Sequence, residues 1–221
     1  MGLEQELVAF KTEFERTAPA GRAALYDRKV EELRERFPLQ RVLQPGAVAP
    51  EFSLSDTDGS QKSLSDMLRL GPVVLTFYRG GWCLYCNLQL RAYQNALPEF
   101  EALGATLLAI SPELPDNSMS TAEKNALRFS VLSDRGNTVA SAFGLVYSLP
   151  EELREALRSN GKALPAMNGD ESWELPVPAT FVIGTDRRVA FSFVEIDYRR
   201  RLAPEDLIVA LRNTRSAGTS P

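Results

Sequence analysis

The chain has 221 residues, of which 44% are hydrophobic and 24% charged, and its formal net charge is −4. This is the composition of an ordinary globular protein with enough apolar side chain for a sizeable core. No basic block is interleaved with aromatic residues, and no segment approaches the roughly 18 apolar residues of a membrane-spanning helix. We therefore expect neither nucleic acid nor a membrane as a partner.

The sequence contains no histidine. This excludes Ser-His-Asp and Cys-His catalysis and every histidine-ligated metal site. The N-terminal segment is charged throughout and lacks the apolar stretch of a signal peptide, so we expect a cytoplasmic protein. Thiols are kept reduced in that compartment. The only two cysteines, Cys83 and Cys86, are therefore expected to be catalytic or redox-sensing.

Residues 3 to about 37 carry apolar side chains at helical spacing, with a break at 18–21. This pattern predicts two helices, which could form a lid, an arm packed on the core or a dimerisation element. In the last case the protein would be a homodimer. Prolines and a glycine at 38–46 mark a boundary. We expect an N-terminal helical extension over residues 1–46, a main domain over 47–213 and a flexible tail over 214–221.

From about residue 47 the predicted strands and helices alternate. Residues 50–64 predict a hairpin that turns at Asp58-Gly59, followed by a short helix capped by Ser63. Continuous apolar or β-branched runs predict buried strands; they are VVLTFY (73–78), ATLLAIS (105–111), FSVLSD (129–134), PATFVIG (178–184) and VAFSFVEI (189–196). Helices are expected at 89–103, 121–129, 136–144 and about 204–211, and an insertion with one short helix at 149–172. This order predicts an α/β sheet with helices on both faces.

The segment FYRGGWCLYCN, residues 77–87, follows a predicted buried strand and opens a predicted helix. A helix N-terminus stabilises a thiolate, and thiol pKa values in such motifs fall from about 8.5 to about 7 or lower. The Cβ atoms of residues i and i+3 lie about 5–6 Å apart and a disulfide needs about 3.5–4.5 Å, so a small adjustment makes or breaks the bond. Gly81, with the glycine before it, leaves the loop able to adjust. Arg79 could add a cationic field, and Trp82 could shape access to the thiols.

Other roles for the two cysteines fit less well. A structural disulfide between them would enclose few residues and would be reduced in the cytoplasm. A zinc site needs four ligands, which this chain could supply only as a Cys₄ site shared between two subunits. Buried inert cysteines fit poorly with a position between loop and helix. Redox chemistry without a metal or cofactor is the predicted role. The basic triplet 199–201 is expected on a solvated face.

An ordered series of motifs resembles the peroxiredoxin-like branch of the AhpC/TSA (redoxin) family. The motifs are PEFSLSDTDG, FYRGGWCLYCN, AISPE, FSVLSD-x-GN-x-VA-x-x-FGLVY and ELPVPATFVI. The resemblance covers about residues 47–213 and implies a thioredoxin-like fold with a central mixed β-sheet flanked by helices. It also implies thiol-dependent reduction of hydrogen peroxide or organic hydroperoxides, with the resulting disulfide reduced by thioredoxin or a glutaredoxin-type protein.

The resemblance assigns the cysteines in two ways. Peroxiredoxins usually have Thr-x-x-Cys here, which places Cys86 at the position of the peroxide-attacking cysteine and Cys83 at the position of the threonine. The active-site arginine of the family would align near Pro178. Compared with thioredoxin, Cys83 is instead the exposed nucleophile and Cys86 its resolver. In that comparison Pro178 and Thr180 lie in the loop whose cis-proline contacts the motif.

We favour a peroxidase in which both cysteines act as a redox couple and Cys86 attacks the peroxide. A thioredoxin-like thiol–disulfide oxidoreductase is the alternative. A third interpretation is a redox-sensing protein that binds a partner through the helical extension.

Overall fold

The computed structural model describes residues 2–217, with side chains described as far as Thr214. The helices are α1 (Leu3–Thr17), α2 (Arg22–Arg36), α3 (Leu64–Leu68), α4 (Leu84–Ala102), α5 (Pro115–Lys124), α6 (Thr138–Ala142), α7 (Glu151–Arg158), α8 (Leu164–Asn168) and α9 (Pro204–Ala217). The strands are β1 (Ser53–Ser55), β2 (Gln61–Ser63), β3 (Val73–Phe77), β4 (Thr106–Ser111), β5 (Ser130–Ser133), β6 (Val146–Ser148), β7 (Glu174–Pro176), β8 (Ala179–Ile183) and β9 (Val189–Val194).

The central sheet is mixed, as expected, with the strand order β2-β1-β5-β4-β3-β8-β9. Strands β3, β4 and β5 are parallel, whereas β8 runs antiparallel to β3 and to β9. The predicted hairpin is confirmed as the antiparallel pair of β1 and β2. The predicted cap of α3 is also present, because the Ser63 hydroxyl accepts a hydrogen bond from the Asp66 amide at 3.1 Å. The strands β6 and β7 form a separate small sheet.

Strand β3 shows why the sheet needs helices on both faces. Successive side chains of a strand point to opposite faces. Val73, Leu75 and Phe77 enter one apolar cluster, which includes residues of α3 and α6. Val74 and Tyr78 enter the other, which includes residues of α1, α4 and α9. All five strand residues are buried, and the strand that leads into the cysteine segment is therefore held rigidly at the sheet centre.

The N-terminal helices are packed against the rest of the protein. Leu3 and Leu7 of α1 are buried in the same apolar cluster as α4. On α2, the buried Lys29 pairs with Glu152 of α7 at 2.6 Å. The simplest of the three sequence interpretations, an arm packed on the core, is confirmed. No helix within residues 2–217 is both long and apolar enough to span a membrane.

The bounds of two predicted helices and the number of helices in the insertion were wrong. The helix expected at 121–129 is α5, which begins at Pro115 because proline is favoured in a first helical turn, and Ala126 has a left-handed φ of 48° beyond its end. The insertion contains α8 as well as α7. Helix α9 continues past the predicted end near Leu211 to Ala217, so it includes part of the predicted tail, whose residues 218–221 lie outside the described part.

Candidate active site

The two cysteines occupy the first turn of α4, as predicted. Cys83 is the N-cap residue and Leu84 the first helical residue, which puts Cys86 at the third position. Both cysteines are free thiols. The unpaired amide groups and the dipole of this 19-residue helix favour a negative charge at Cys83.

The two cysteines differ in their access to a cleft of about 420 Å³. We call it the Cys83 cleft; its lining includes Cys83 and residues of α1, α2, α7 and the segment 196–199, among them Phe10, Phe14, Ala23, Tyr26, Leu153 and Tyr198. Cys86 does not line it and is 0% exposed, whereas Cys83 is 4% exposed. Only the Cys83 side of the motif therefore faces a space that a small molecule can enter.

The same side carries the more acidic thiol. Burial raises the pKa of Cys83, but the hydrogen bond with the Cys86 thiol and the charges of Arg79 and Arg201 outweigh it and hold the pKa well below its ordinary value. Burial raises the pKa of Cys86, and its interaction with Cys83 raises it further. The electrostatics of the pair therefore favour the thiolate at Cys83 and the protonated thiol at Cys86.

Arg79 is the cation on the cleft side. It is 6% exposed, and its Nε has no hydrogen-bond partner among the described residues. The guanidinium Cζ lies 5.0 Å from the centre of the Trp82 ring and 4.1 Å from that of Tyr198, so two aromatic faces hold it in place. Its charge acts on both cysteines. The structure thus places Arg79 and Trp82 together with the thiols, as the sequence suggested.

Arg201 lies on the buried side, where the sequence did not indicate a site residue. Its Nη2 donates a hydrogen bond to Cys86 Sγ at 3.3 Å. The expectation of a solvated basic triplet was wrong for two of its members, since Arg199 is also mostly buried and pairs with Asp27 and Asp197. Only Arg200 is exposed. The segment between β9 and α9 carries Arg201 back across the fold to the start of α4.

Gly81 is required by close packing. A Cβ at this position would collide with the Thr121 hydroxyl of α5. Its backbone N–H donates a hydrogen bond at 2.8 Å to Glu113 Oε2, and its carbonyl accepts one from the side-chain Nδ2 of Asn87 at 2.8 Å. The loop before Cys83 is therefore pinned rather than free to adjust.

Glu113 is a buried carboxyl group that the sequence reasoning missed, although it ends the motif AISPE. It is 3% exposed, and burial, opposed by the Gly81 hydrogen bond, raises its pKa to about 7. The charge of Cys83 adds to this rise. A carboxyl group that titrates near neutral pH beside a redox motif is a candidate for handling protons.

Trp82 forms part of the cleft wall. Its carbonyl accepts a hydrogen bond from Lys162 Nζ at 3.1 Å, and the ammonium group lies 5.8 Å from the ring centre. The insertion that carries Lys162 therefore braces the segment before Cys83. The prediction that Trp82 shapes access to the thiols agrees with this position.

Pro178 lies at the end of the sheet near the cysteine segment, but its peptide bond is not the cis form that the resemblance to thioredoxin implies. The register pairs Phe77 with Ala179, so Pro178 is at the end of the sheet where β3 continues into the cysteine segment. No cis peptide bond occurs among the described residues, and the Val177–Pro178 bond is therefore trans. The chain passes directly from β7 into β8, and an extended trans proline suits that path because a strand entry needs no turn.

Thr180 lies below the motif in a buried hydroxyl cluster. Its Oγ1 is 3.3 Å from the hydroxyls of Thr76 and Tyr93 and 3.5 Å from Gln89 Nε2. Tyr93 also donates to the Leu202 carbonyl at 3.2 Å. These contacts fix α4 on the sheet, so the structure gives Thr180 a supporting position under the helix.

The fold and this geometry agree with the comparisons to known proteins. The model of the AhpC/TSA family matches residues 45–192. The chain belongs to the AhpC/TSA family. The peroxidoxin BcpB of Mycobacterium tuberculosis has 25% sequence identity and a TM-score of 0.61, over 77% of this chain and 97% of that one. PrxQ of Xylella fastidiosa, at 18% identity and a TM-score of 0.62, shares the fold.

Two curated relatives each match about half of this chain. Peroxiredoxin Q of Gentiana triflora is 32% identical over 120 residues, which are 52% of this chain and 55% of the relative. Peroxiredoxin Bcp of Escherichia coli K12 is 34% identical over 103 residues, 47% of this chain and 65% of the relative. The chain therefore spans less than two thirds of each. The helices α1 and α2 precede the family match.

Proposed function

We propose that the protein is a thiol-dependent peroxidase that cycles through a Cys83–Cys86 disulfide, acts in the cytoplasm, and is regenerated by thioredoxin or a glutaredoxin-type protein. The observation that carries the proposal is a buried thiol, Cys83, at a helix N-terminus, which faces a cleft and whose pKa is lowered by the charges of Arg79 and Arg201. Thiolates, not thiols, are the nucleophiles in such chemistry. Family membership supports the choice of a peroxide as the electrophile.

Cys83 is the thiol that attacks the peroxide in this proposal, which reverses the order favoured from the sequence. The attacking sulfur must be both ionised and reachable; Cys83 has the lower pKa and lines the cleft, whereas Cys86 is 0% exposed. Attack on the terminal peroxide oxygen breaks the O–O bond and moves two electrons from sulfur to the peroxide. The leaving alkoxide or hydroxide takes up a proton, and Cys83 becomes a sulfenic acid.

Cys86 then resolves the sulfenic acid. Its sulfur must lose a proton before it attacks Cys83 Sγ, and the Arg201 hydrogen bond favours the resulting thiolate. The S–O bond breaks, water leaves and the disulfide forms. An external dithiol attacks the disulfide by thiol exchange and returns both cysteines to the reduced state. Leu84, between the cysteines, is 53% exposed and offers this partner an apolar contact.

A trapping experiment tests the order of attack. Cys83→Ser and Cys86→Ser are each treated with one equivalent of peroxide in the presence of dimedone and analysed by mass spectrometry. The Cys86→Ser protein is expected to form a trapped sulfenic acid at Cys83 rapidly, while Cys83→Ser forms little. Efficient trapping only at Cys86 would restore the order favoured from the family alignment.

The second candidate is a thiol–disulfide oxidoreductase, which the N-cap position of Cys83 favours because it matches a thioredoxin-type nucleophile. Stopped-flow oxidation of the reduced protein distinguishes the two. A peroxidase loses both thiols with one equivalent of peroxide, much faster than free cysteine does. Oxidation at the rate of free cysteine together with rapid reduction of insulin disulfides would replace the proposal with this alternative. Slow reaction in both assays would favour the redox sensor.

A further inference from the structure

The Cys83 cleft is far larger than hydrogen peroxide requires. A water molecule, similar in size to that peroxide, occupies about 30 Å³ of liquid. The cleft volume of about 420 Å³ is more than ten times larger and falls within the range of small-molecule sites, roughly 300–1,000 Å³. Hydrogen peroxide alone therefore gives no reason for a space of this size beside the reactive thiol.

The walls of the cleft suit an apolar, aromatic body. Phe10 and Phe14 of α1, Tyr26 of α2 and Leu153 of α7 contribute ring faces and aliphatic surface. The rings are already ordered, since Phe14 stacks on Tyr26 with centroids 5.6 Å apart and Phe10 packs edge-on against Tyr85 at 4.9 Å. Preformed walls of this kind bind a ligand without a large ordering cost.

The acidic side chains along the cleft are paired with cations of the same helices. Glu15 pairs with Lys11 at 3.4 Å on α1, and Glu32 pairs with Lys29 at 3.0 Å on α2. Of the two cations that lower the pKa of Cys83, Arg79 has the larger effect, and it is mostly buried and held against Trp82. The cleft thus combines largely apolar walls with a buried cation, Arg79, on the Cys83 side; the other cations of its lining are Lys11, Lys29, Arg36, Lys162 and Arg199.

One wall of the cleft, formed by α1 and α2, does not come from the matched family domain. The family match begins at residue 45, whereas α1 and α2 end at Arg36. These helices are fixed to the domain by Leu3 and Leu7 and by the Lys29–Glu152 pair. The arm therefore does more than cover the core, because it converts the surface beside Cys83 into a cleft.

We propose that the Cys83 cleft binds the organic part of a bulky apolar hydroperoxide, and that α1 and α2 are the elements that select it. This inference rests on the proposed peroxidase function. The peroxide group points towards Arg79 and Cys83, and the organic group lies against the aromatic wall. The thiolate takes the terminal oxygen, the O–O bond breaks, and the alcohol leaves the cleft after gaining a proton. The preferred substrates are aromatic or long-chain hydroperoxides.

A cavity-filling variant tests this assignment. Ala23 of α2 lines the cleft, whereas its neighbour Ala24 is exposed and does not. Ala23→Trp is expected to lower the second-order rate constant for cumene hydroperoxide about 10-fold and to change that for hydrogen peroxide less than 2-fold. Ala24→Trp is the matched control and should change neither. Rates are measured by stopped-flow oxidation of the reduced protein.

A second measurement uses the unaltered protein and remains informative if Ala23→Trp does not fold. Cumyl alcohol, the product from cumene hydroperoxide, should compete with that substrate at millimolar concentration. tert-Butanol at the same concentration should not. An absence of competition by cumyl alcohol would overturn the proposed site even if the protein proves to be a fast peroxidase.

The outcomes separate this inference from the function on which it rests. Oxidation by both peroxides no faster than that of free cysteine refutes the peroxidase. Fast oxidation by both, with Ala23→Trp affecting them equally or not at all, refutes the cleft assignment alone. If Ala23→Trp slows only the reduction of the disulfide by thioredoxin, the cleft receives the reductant and the inference is also wrong.

Discussion

Cys83 and Cys86 are three residues apart on one helical turn, yet their surroundings differ in access and in charge. Cys83 faces a cleft, lies beside the stacked guanidinium of Arg79, and has a lowered pKa. Cys86 is fully buried, contacts Arg201 at 3.3 Å, and has a raised pKa. In the proposed peroxidase cycle, these surroundings suit the Cys83 side to nucleophilic attack and the Cys86 side to resolution.

This difference shows that motif position alone does not assign a cysteine its role. The alignment with Thr-x-x-Cys selects Cys86, and the access and charge around each sulfur select Cys83. In a redox pair of this kind the first attack belongs to the sulfur that is both ionised and reachable. Three changes around the motif test whether the division between the two sides holds.

The largest effect is expected from Arg79→Met, which removes the cation on the Cys83 side while keeping an apolar side chain of similar length. An opposite charge close to an ionisable group shifts its pKa by about 1–3 units. The pKa of Cys83, about 5 in the wild type, should therefore rise, and its alkylation by iodoacetamide at pH 6 should slow about 2-fold for a rise of one unit and about 100-fold for a rise of three. The measurement is the alkylation rate as a function of pH.

The control for that change is Arg200→Met, which removes a cation from the same chain at a position where the side chain is 71% exposed. It should leave the pH profile of alkylation unchanged. If Arg79→Met also leaves the profile unchanged, the helix N-terminus and Arg201 alone set the acidity of Cys83. The contrast between the two sides would then rest on access and not on charge.

The sequence predicted the parts of this arrangement that depend on local pattern. The continuous apolar run of β3 predicted a central strand, and its direct connection to Cys83 predicted a motif at a helix start. Both follow from backbone periodicity and from the short distance along the chain. The mixed sheet with helices on both faces followed from the alternation of elements and from the family resemblance.

The parts that were missed depend on contacts between distant segments. Arg201 was placed with its neighbours on a solvated face, and only the path from β9 to α9 brings it to Cys86, 115 positions away along the chain. Glu113 belonged to a motif that the sequence quoted, but its burial and its bond to Gly81 require packing against the cysteine loop. The cleft forms only where α1 and α2, the cysteine segment and α7 come together, and residue spacing along the chain does not predict such a contact.

A smaller effect is expected from Glu113→Gln, which removes a negative charge on the Cys83 side and keeps an acceptor for the Gly81 amide. The pKa of Glu113 is about 7 in the folded protein and ordinarily 4.5. Burial of this carboxyl group therefore lowers the free energy of unfolding little below about pH 4.5 and by its full amount above about pH 7. At about 1.4 kcal/mol for each pKa unit, the penalty is about 3 kcal/mol.

Urea unfolding at pH 5 and pH 8 measures this penalty. Relative to Glu113→Gln, the wild-type protein should lose about 2–3 kcal/mol of unfolding free energy as the pH rises between these values. Glu101→Gln, at an exposed position of α4, is the matched control and should show no such difference. A difference that does not vary with pH would mean that the pKa of Glu113 is the same in the folded and the unfolded protein, so that burial imposes no penalty on its charge.

The smallest effect is expected from Arg201→Met, which acts on the Cys86 side. Cys86 must become a thiolate to attack the sulfenic acid. Loss of the Arg201 hydrogen bond raises the cost of that ionisation by about 1.5 kcal/mol, the lower end of the range of about 1.5–3 kcal/mol for bonds to charged groups. Disulfide formation should slow about 10-fold, and the yield of dimedone adduct at Cys83 should rise. Oxidation of Cys83 should slow less, because Arg79 remains beside it.

Arg201→Lys keeps the charge and should recover most of the resolving rate. Equal slowing of both phases would show that Arg201 serves the two cysteines alike, and the division between an attacking side and a resolving side would then be lost.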